Sequence, residues 1–534
     1  MTFLVDLSWF TWITLLSALP LIYWRLTRNF DYWTKRGITG PKPYPSVGTN
    51  LYHFFTPMTT VDTQRIRIFG KIYGLFNGNV PVLSVAAPEL IQKILVKDFH
   101  LFVDRKTRPY EHPVLTKNVF HSRADHWKRL RTIVSPTFTS GKMRKMYPMV
   151  RECIAEYLQV LDGYARHGSD VNIKDMHYKL TMNVIARCAF ATKTDTYGDP
   201  HNPFIRHVKS MTHFPFLKLL LMYTLPVPVK KVLGIKYVGS EESNEFFMRL
   251  THQIVTQRKT DPDAHRKYSD FIQLLVDAEV DRDAGDDQSD DEAMDADEAH
   301  HVNEGKEERE VQRKPLATNI ANKKLTTDEI KAQGWIFFIA GSETAATTLA
   351  YSSYELALNP DIQERLRAEV DGAVDADGEF PYERLTKLPL LDAVIAETLR
   401  LYPPVLRIDR KCSQDYKLGE SGITLFKGQD VDIPVYAIHH SSDFYENPEQ
   451  FNPDRFMPHN RHKLTPYTYL PFGAGPRNCV GMRFALLEIK LSLVHIIRRY
   501  RFVRSAQTPV PLEFKTVANV CSAKRVVVAI HERS

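Results

Sequence analysis

Pro471–Met482 reads PFGAGPRNCVGM, and within it Phe472, Gly475, Arg477, Cys479 and Gly481 stand in the spacing F-x-x-G-x-R-x-C-x-G. At an average usage of roughly 5% per residue type, five fixed positions coincide by chance in on the order of one chain in ten thousand of this length. The apolar residues that follow, Phe484, Ala485, Leu487, Ile489, Leu491 and Leu493, predict a helix over 483–500. A cysteine one turn ahead of a helix sits where backbone N–H groups and the helix dipole favour its thiolate. A thiolate is the ligand that a haem iron needs for oxygen activation. Gly475 and Gly481 permit backbone turns and a close approach to a flat macrocycle. Phe472 is placed to shield the sulfur and Arg477 to pair with a propionate. The rival reading is a glycine turn before a helix, with an inert buried cysteine.

Working outward, the run GWIFFIAGSETAATTLAYSSYELA contains Ala340, Gly341, Ser342, Glu343 and Thr344 inside a helical pattern over 328–358. A mid-helix glycine costs about 1 kcal/mol relative to Ala, so Gly341 implies that something lies against the backbone there. Glu343 and Thr344 pair a carboxylate with a hydroxyl, an acid and a relay for the two protons that splitting O–O requires. Taken alone they also read as ordinary polar helix residues. Glu397 and Arg400, spaced i, i+3, share a helix face. With 25% charged residues such a pair arises by chance, so it gains weight only from Leu401-Tyr402-Pro403-Pro404 behind it and Phe451-Asn452-Pro453-Asp454-Arg455-Phe456 later.

Together these segments make the chain resemble the cytochrome P450 superfamily. Trp127–Lys142 (WKRLRTIVSPTFTSGK) and Pro471–Leu486 (PFGAGPRNCVGMRFAL) resemble the drug- and steroid-oxidising family 3 and its invertebrate relatives. The resemblance implies a mainly α fold with minor β, an α-helical bundle joined to a small β-rich region. It implies haem b (iron protoporphyrin IX), Cys479 as axial thiolate, Thr344 orienting bound oxygen and Glu343 on the proton route. Trp127, Arg131, Arg410, Arg477 and, through an altered loop, Arg105 are expected at the propionates, with Ala340, Phe472 and Gly481 beside the haem. Glu397, Arg400 and Arg455 form the family's structural triad, since a buried carboxylate needs paired guanidinium groups.

The composition agrees with a globular enzyme. The 534 residues are 43% hydrophobic, with 24 glycines and only 5 cysteines, which excludes a collagen-like repeat, a disulfide scaffold and a wholly disordered chain. The cysteines, Cys153, Cys188, Cys412, Cys479 and Cys521, are odd in number and without a C-x-x-C pair, and read as reduced thiols. The net charge of +7 hides an acidic block: Asp277–Glu310 holds 16 acidic and 3 basic residues, leaving 67 basic against 47 acidic elsewhere. No zinc-finger spacing or RNA-binding aromatic signature accompanies that basic excess, so nucleic acid is not an expected partner. The excess is assigned to haem propionates, membrane lipid and a reductase. Residues 281–310 are poor in apolar side chains and read as a disordered acidic insertion.

Leu7–Trp24 (LSWFTWITLLSALPLIYW) is uncharged and is followed by Arg25, Arg28, Lys35 and Arg36. That order fits an N-terminal transmembrane helix over 1–24 with the bulk of the chain cytosolic; a cleaved signal peptide would place basic residues first. Gly37–Gly48 alternates Pro41, Pro43 and Pro45, a stiff spacer within a basic hinge over 25–50. Residues 51–534 are then one haem-thiolate monooxygenase domain, facing the cytosol from the endoplasmic reticulum membrane. No dinucleotide fingerprint follows a strand, so electrons are expected from NADPH through a separate cytochrome P450 reductase, with cytochrome b5 as a further partner. Lys128, Arg129, Arg498 and Arg499 are candidate docking residues. The segments 108–125, 214–225, 335–339, 405–406 and 512–518 are mostly apolar and imply a lipophilic small-molecule substrate; Phe214–Leu225 reads equally as a segment dipping into the bilayer. Two rival activities remain, a haem-thiolate isomerase or dehydratase acting on a peroxide and a non-catalytic haem or ligand-binding protein.

Overall fold

The structure, a computed structural model, describes residues 9–106, 112–199, 201–212, 227–234, 240–279, 324–375, 380–516 and 520–533, with the single positions 218, 221, 222, 225 and 518. The expected acidic insertion at 281–310 and most of 214–225 lie outside the described residues.

The uncharged N-terminal run forms helix α1, Trp9–Thr27, with Pro20 inside it. Leu19, Leu21, Ile22, Tyr23 and Trp24 are all exposed. Among the described residues no helix is long and apolar enough to cross a membrane, so the expected transmembrane helix is not borne out. Its last turns bring in Tyr23, Trp24 and Arg25, which lower the hydropathy of the described stretch. The proline stretch lies along the sheet rather than spanning open space. Helix α2 (Met58–Phe69) follows it, and then the hairpin of β1 (Ile72–Asn77) and β2 (Val80–Val85). Buried Trp33 donates its Nε1 hydrogen to Leu75 O at 3.0 Å. A Cβ on Gly74 would meet the Trp33 ring at 2.2 Å, which is why glycine stands there. Gly74 N donates to Thr39 O at 2.8 Å and Thr49 N to Phe76 O at 2.9 Å, so the stretch is hydrogen-bonded to β1.

The helical body comprises α3 (Ala124–Val134), α4 (Ser140–Ala165), α5 (Ile173–Phe190, after strand β3, Asp170–Asn172), α6 (Pro203–Thr212), α7 (Glu241–Thr260), α8 (Phe271–Glu279), α9 (Thr327–Leu358), α10 (Pro360–Asp371) and α11 (Pro389–Leu401). Strands β4 (Ile408–Lys411) and β5 (Asp430–Ile433) then join the hairpin, and α12 (Met482–Arg499), β6 (Tyr500–Val503) and β7 (Val527–Glu532) close the chain. The main sheet runs β1-β2-β5-β4, with β2 and β5 parallel through Leu83 and Val431 and the other pairs antiparallel. A second sheet orders β3-β7-β6.

Helix α9 is the axis of this arrangement. Thr326 and Glu329 form a capping box at its start, with Glu329 N donating to Thr326 Oγ1 at 3.2 Å and Thr326 N to Glu329 Oε2 at 2.8 Å. Phe337, Phe338, Leu349, Ala350 and Tyr351 are buried around its whole circumference, the signature of a helix enclosed by others. It packs on α5, α7, α11 and α12. A Cβ on Gly341 would meet Ile185 Cδ1 at 2.8 Å; the neighbour implied by that glycine is helix α5.

Candidate functional site

The Cys479 loop is a hydrogen-bonded turn leading into α12. Cys479 N donates to Phe472 O at 2.9 Å and Asn478 N to Gly475 O at 3.0 Å. Gly475 has φ +71°, and a Cβ there would meet Leu95 O at 1.8 Å, so its freedom is needed against the chain at Leu95. At Gly481 a Cβ would meet only Phe138, at 3.6 Å; nothing in the described protein demands glycine at that position. Cys479 is exposed, the only exposed cysteine of the five. Burial still pushes its thiol up, opposed by the Gly481 N–H and by the Arg131 and Arg105 guanidinium groups.

Four arginines gather by this loop from separate elements. Arg131 of α3 donates to Asn478 O at 2.9 Å and Asn478 Oδ1 at 2.7 Å, tying α3 to the cysteine turn. Arg477 donates to Val103 O, to Phe120 O at 3.2 Å and to Ser122 O at 2.6 Å, and lies over buried Trp127 at 4.9 Å. Arg410 of β4 is buried and donates to Asp409 O at 2.8 Å. Arg105 lies over Phe120 at 4.1 Å. Burial, reinforced by Arg105 and Arg410, pulls Arg477 down to about 8. Burial, reinforced by Arg105, pulls Arg410 down to about 9. Arg131 is lowered to about 10, by burial first, with Cys479 opposing and Arg105 adding. The Nε atoms of Arg410 and Arg477 are buried and have no hydrogen-bond partner among the described residues. Crowded, desolvated guanidinium groups of this kind fit a dianion. The residues therefore fit a haem, with Cys479 at the iron and these cations at two propionates.

Along α9 a second strip of accessible surface interrupts an otherwise buried helix: Ala340 is exposed and Ile339, Glu343 and Thr344 are partly so. Thr344 Oγ1 donates to Ala340 O at 2.6 Å. Glu343 Oε1 pairs with Lys174 Nζ of α5 at 3.0 Å, and the same ammonium donates to Ser522 Oγ at 2.8 Å. Lys174 was not legible as a site residue, because nothing local distinguishes it from a solvated lysine.

Glu397, Arg400 and Arg455, the triad that the resemblance implies, come together. Arg400 donates Nε to Glu397 Oε2 at 2.7 Å and Nη2 to Glu397 Oε1 at 2.8 Å. Glu397 Oε1 also accepts from Asn452 N at 2.9 Å and from Arg455 Nε at 3.4 Å. Burial alone would lower Arg400, but the hydrogen bond and charge of Glu397 outweigh it and raise it. One further residue connects this triad to the cysteine turn. Buried His439 stands between Arg400 O, 3.0 Å from its Nδ1, and Leu470 N, which donates to Nε2 at 2.9 Å. With Nε2 an acceptor, Nδ1 carries the hydrogen; burial keeps the ring neutral. No sequence spacing marks it.

Some expected assignments change. Arg129 is turned inward to an ion pair with Glu329 and donates to Lys324 O at 2.8 Å, so it is committed to the start of α9 and not to a docking face. Arg499 pairs with Asp162 at 2.7 Å and Lys128 with Asp125 at 3.2 Å. Of the expected pocket residues, Val405 is exposed while Leu406 is buried, and Trp335 donates to Asn244 Oδ1 at 3.0 Å. Cys153, Cys188, Cys412 and Cys521 are buried, and burial pushes all four thiols up, Cys153 to about 12.

A family model described as Cytochrome P450 matches residues 38–304 and 301–528. The chain is 34% identical to cytochrome P450 3A11 of Mus musculus over 99% of its own length and 97% of that relative. It is 33% identical to cytochrome P450 3A2 of Rattus norvegicus, covering 98% and 97%. It is 35% identical to cytochrome P450 9e2 of Blattella germanica, covering 95% of each. An accessible cysteine beside buried Arg410 and Arg477 suits a haem-thiolate enzyme, and with matches running almost end to end the chain belongs to the cytochrome P450 family, a haem b monooxygenase.

Proposed function

We propose that this enzyme oxidises a lipophilic small molecule with electrons passed from NADPH by a separate membrane-bound reductase, with cytochrome b5 as an additional donor. The observation that carries the reading is the set of half-buried Arg131 and buried Arg410 and Arg477 by accessible Cys479, guanidinium groups that donate mostly to neutral carbonyl oxygens. Haem, when bound, supplies the iron at which dioxygen is activated. Cys479 donates its thiolate, and the Gly481 N–H with Arg131 and Arg105 offsets the cost of charging a buried sulfur. Arg105, Trp127, Arg131, Arg410 and Arg477 would hold the propionates of a haem, and Ala340, Phe472 and Gly481 would bound its ring. Thr344 holds its hydroxyl proton on Ala340 O until a better acceptor arrives. Glu343, with Lys174 as counter-ion, relays protons toward that hydroxyl. Glu397, Arg400 and Arg455 keep the scaffold rigid.

The exposed apolar residues of α1 and the arginines beyond them support attachment to the cytosolic face of the endoplasmic reticulum membrane. The reduced carbon monoxide difference spectrum tests the ligand assignment. A Soret band near 450 nm, about the thiolate position, is expected; a folded, haem-loaded protein lacking it refutes the reading. Turnover that needs NADPH and added reductase supports the electron route, and turnover of a peroxide without either refutes it.

A further inference from the structure

Gln333 of α9 grips the backbone of the segment that precedes α3. Its side chain is fully buried; Oε1 accepts from Val119 N at 2.9 Å and Nε2 donates to Lys117 O at 3.1 Å. A backbone N–H only donates and a carbonyl only accepts, so both partners fix the same orientation of the amide. Asn118 between them is extended, at φ −84° and ψ 164°. The amide therefore stands where a neighbouring strand would pair.

The gripped segment is braced as a unit. Buried Asn118 donates to Leu115 O at 2.6 Å and accepts from Phe120 N and His121 N, both at 2.9 Å, while Ser122 N donates to Asn118 O at 3.0 Å. Its far end is held by Arg477, which donates to Phe120 O at 3.2 Å and to Ser122 O at 2.6 Å. Residues 117–122 thus run from α9 to the cysteine turn.

The grip also has a direction. On a helix, the residues seven and eleven positions on return to within about 20° of the starting face. Counted from Gln333 these are Ala340 and Thr344, both in the accessible strip of α9. The segment is therefore fastened to the face that bears this strip, about 10 Å ahead of Ala340 along the axis, and its other end reaches the loop that carries Cys479. A wall in that place limits what reaches a haem held by Cys479.

We propose that Gln333 is a positioning residue that sets the size of molecule this enzyme admits, by holding segment 117–122 against α9. This rests on the haem-thiolate reading of the site and adds a determinant of specificity. A molecule too large for the closed arrangement binds only when the segment has left Gln333, so its apparent affinity is reduced by the open fraction. Loss of both amide bonds raises that fraction by on the order of tenfold. A small ligand that fits either arrangement is indifferent to it.

The test is titration of the full-length holoenzyme, followed by its Soret shift, with two ligands that bind haem iron through an azole nitrogen: imidazole and the bulky clotrimazole. Gln333→Leu removes both bonds at similar volume. It is expected to tighten clotrimazole about tenfold while imidazole stays within about twofold. A glutamine that served stability alone would leave the ratio of the two affinities unchanged, and an unchanged ratio overturns the proposal. Hydrogen exchange of the wild-type holoenzyme decides even if the leucine variant does not fold. Amides of 117–122 should exchange about tenfold faster in the clotrimazole complex than in the imidazole complex, and equal rates overturn the proposal. The carbon monoxide difference spectrum of the same samples separates this failure from failure of the haem-thiolate reading.

Discussion

Glu397 lies at the point where α11, the segment around Asn452 and the arginine of α11 itself converge, and its removal has a calculable cost. The carboxylate accepts two bonds from Arg400, one from Asn452 N and one from Arg455. Both members of the Glu397–Arg400 pair are fully buried. Breaking a buried ion pair from one side costs about 3–5 kcal/mol, because the surviving charge is left in a low dielectric. Stranding the Asn452 N–H adds about 1–3 kcal/mol. The total, roughly 4–8 kcal/mol, is comparable to the whole stability of a typical domain, about 5–15 kcal/mol. Glu397→Ala should therefore reduce the haem-loaded fraction of expressed protein severalfold, while the molecules that do load retain wild-type turnover per haem. The assay compares the 450 nm band with total chain and follows denaturant unfolding of the loaded fraction. Full loading with a stability loss under about 1 kcal/mol would refute the scaffold reasoning.

Three other outcomes are expected. Thr344→Ala should raise the hydrogen peroxide released per NADPH consumed, with little change in haem content; unchanged coupling removes Thr344 from the proton route. His439→Phe strands Arg400 O and Leu470 N, a cost of about 2–6 kcal/mol for two buried groups, and should shift the carbon monoxide band toward the inactive, shorter-wavelength form, whereas an unshifted and stable protein contradicts the link to the cysteine turn. Burial raises the Glu355 carboxyl to about 7 from 4.5, so the folded protein holds that proton more tightly than the unfolded chain. Its contribution is retained below about 4.5 and lost as pH rises toward 7, by about 3 kcal/mol at most. Glu355→Gln should accordingly gain thermal stability relative to wild type at pH 8 but not at pH 5, and a pH-independent difference would defeat that reasoning.

Much of the helical body is legible in the sequence. The helix expected over 328–358 runs Thr327–Leu358 and the one expected over 483–500 runs Met482–Arg499. The first opens on a capping box and the second carries the apolar repeat from Phe484 to Leu493. Helix α5 was not anticipated. Its residues from Leu180 to Ala186 are buried consecutively, so it lacks the polar face that makes a helix periodic. The N-terminal run differs for another reason: its 18 uncharged residues suggest a span, while the described helix contains Pro20 and runs on through Arg25 to Thr27.

What the sequence determined by itself is the chemistry that depends on short spacing. The cysteine with its glycines, the adjacent Glu343 and Thr344, and the i, i+3 pair Glu397 and Arg400 are set by neighbours within a turn or two, where backbone geometry leaves few arrangements. Only the tertiary structure decided which distant charges meet. It joined Lys174 and Ser522 to Glu343, His439 to the cysteine turn, and Arg129 to Glu329. Those pairings span up to several hundred residues and depend on how helices and hairpins pack. Because desolvation then fixes the strength of each charge, the pairings tune the chemistry that the motif announces.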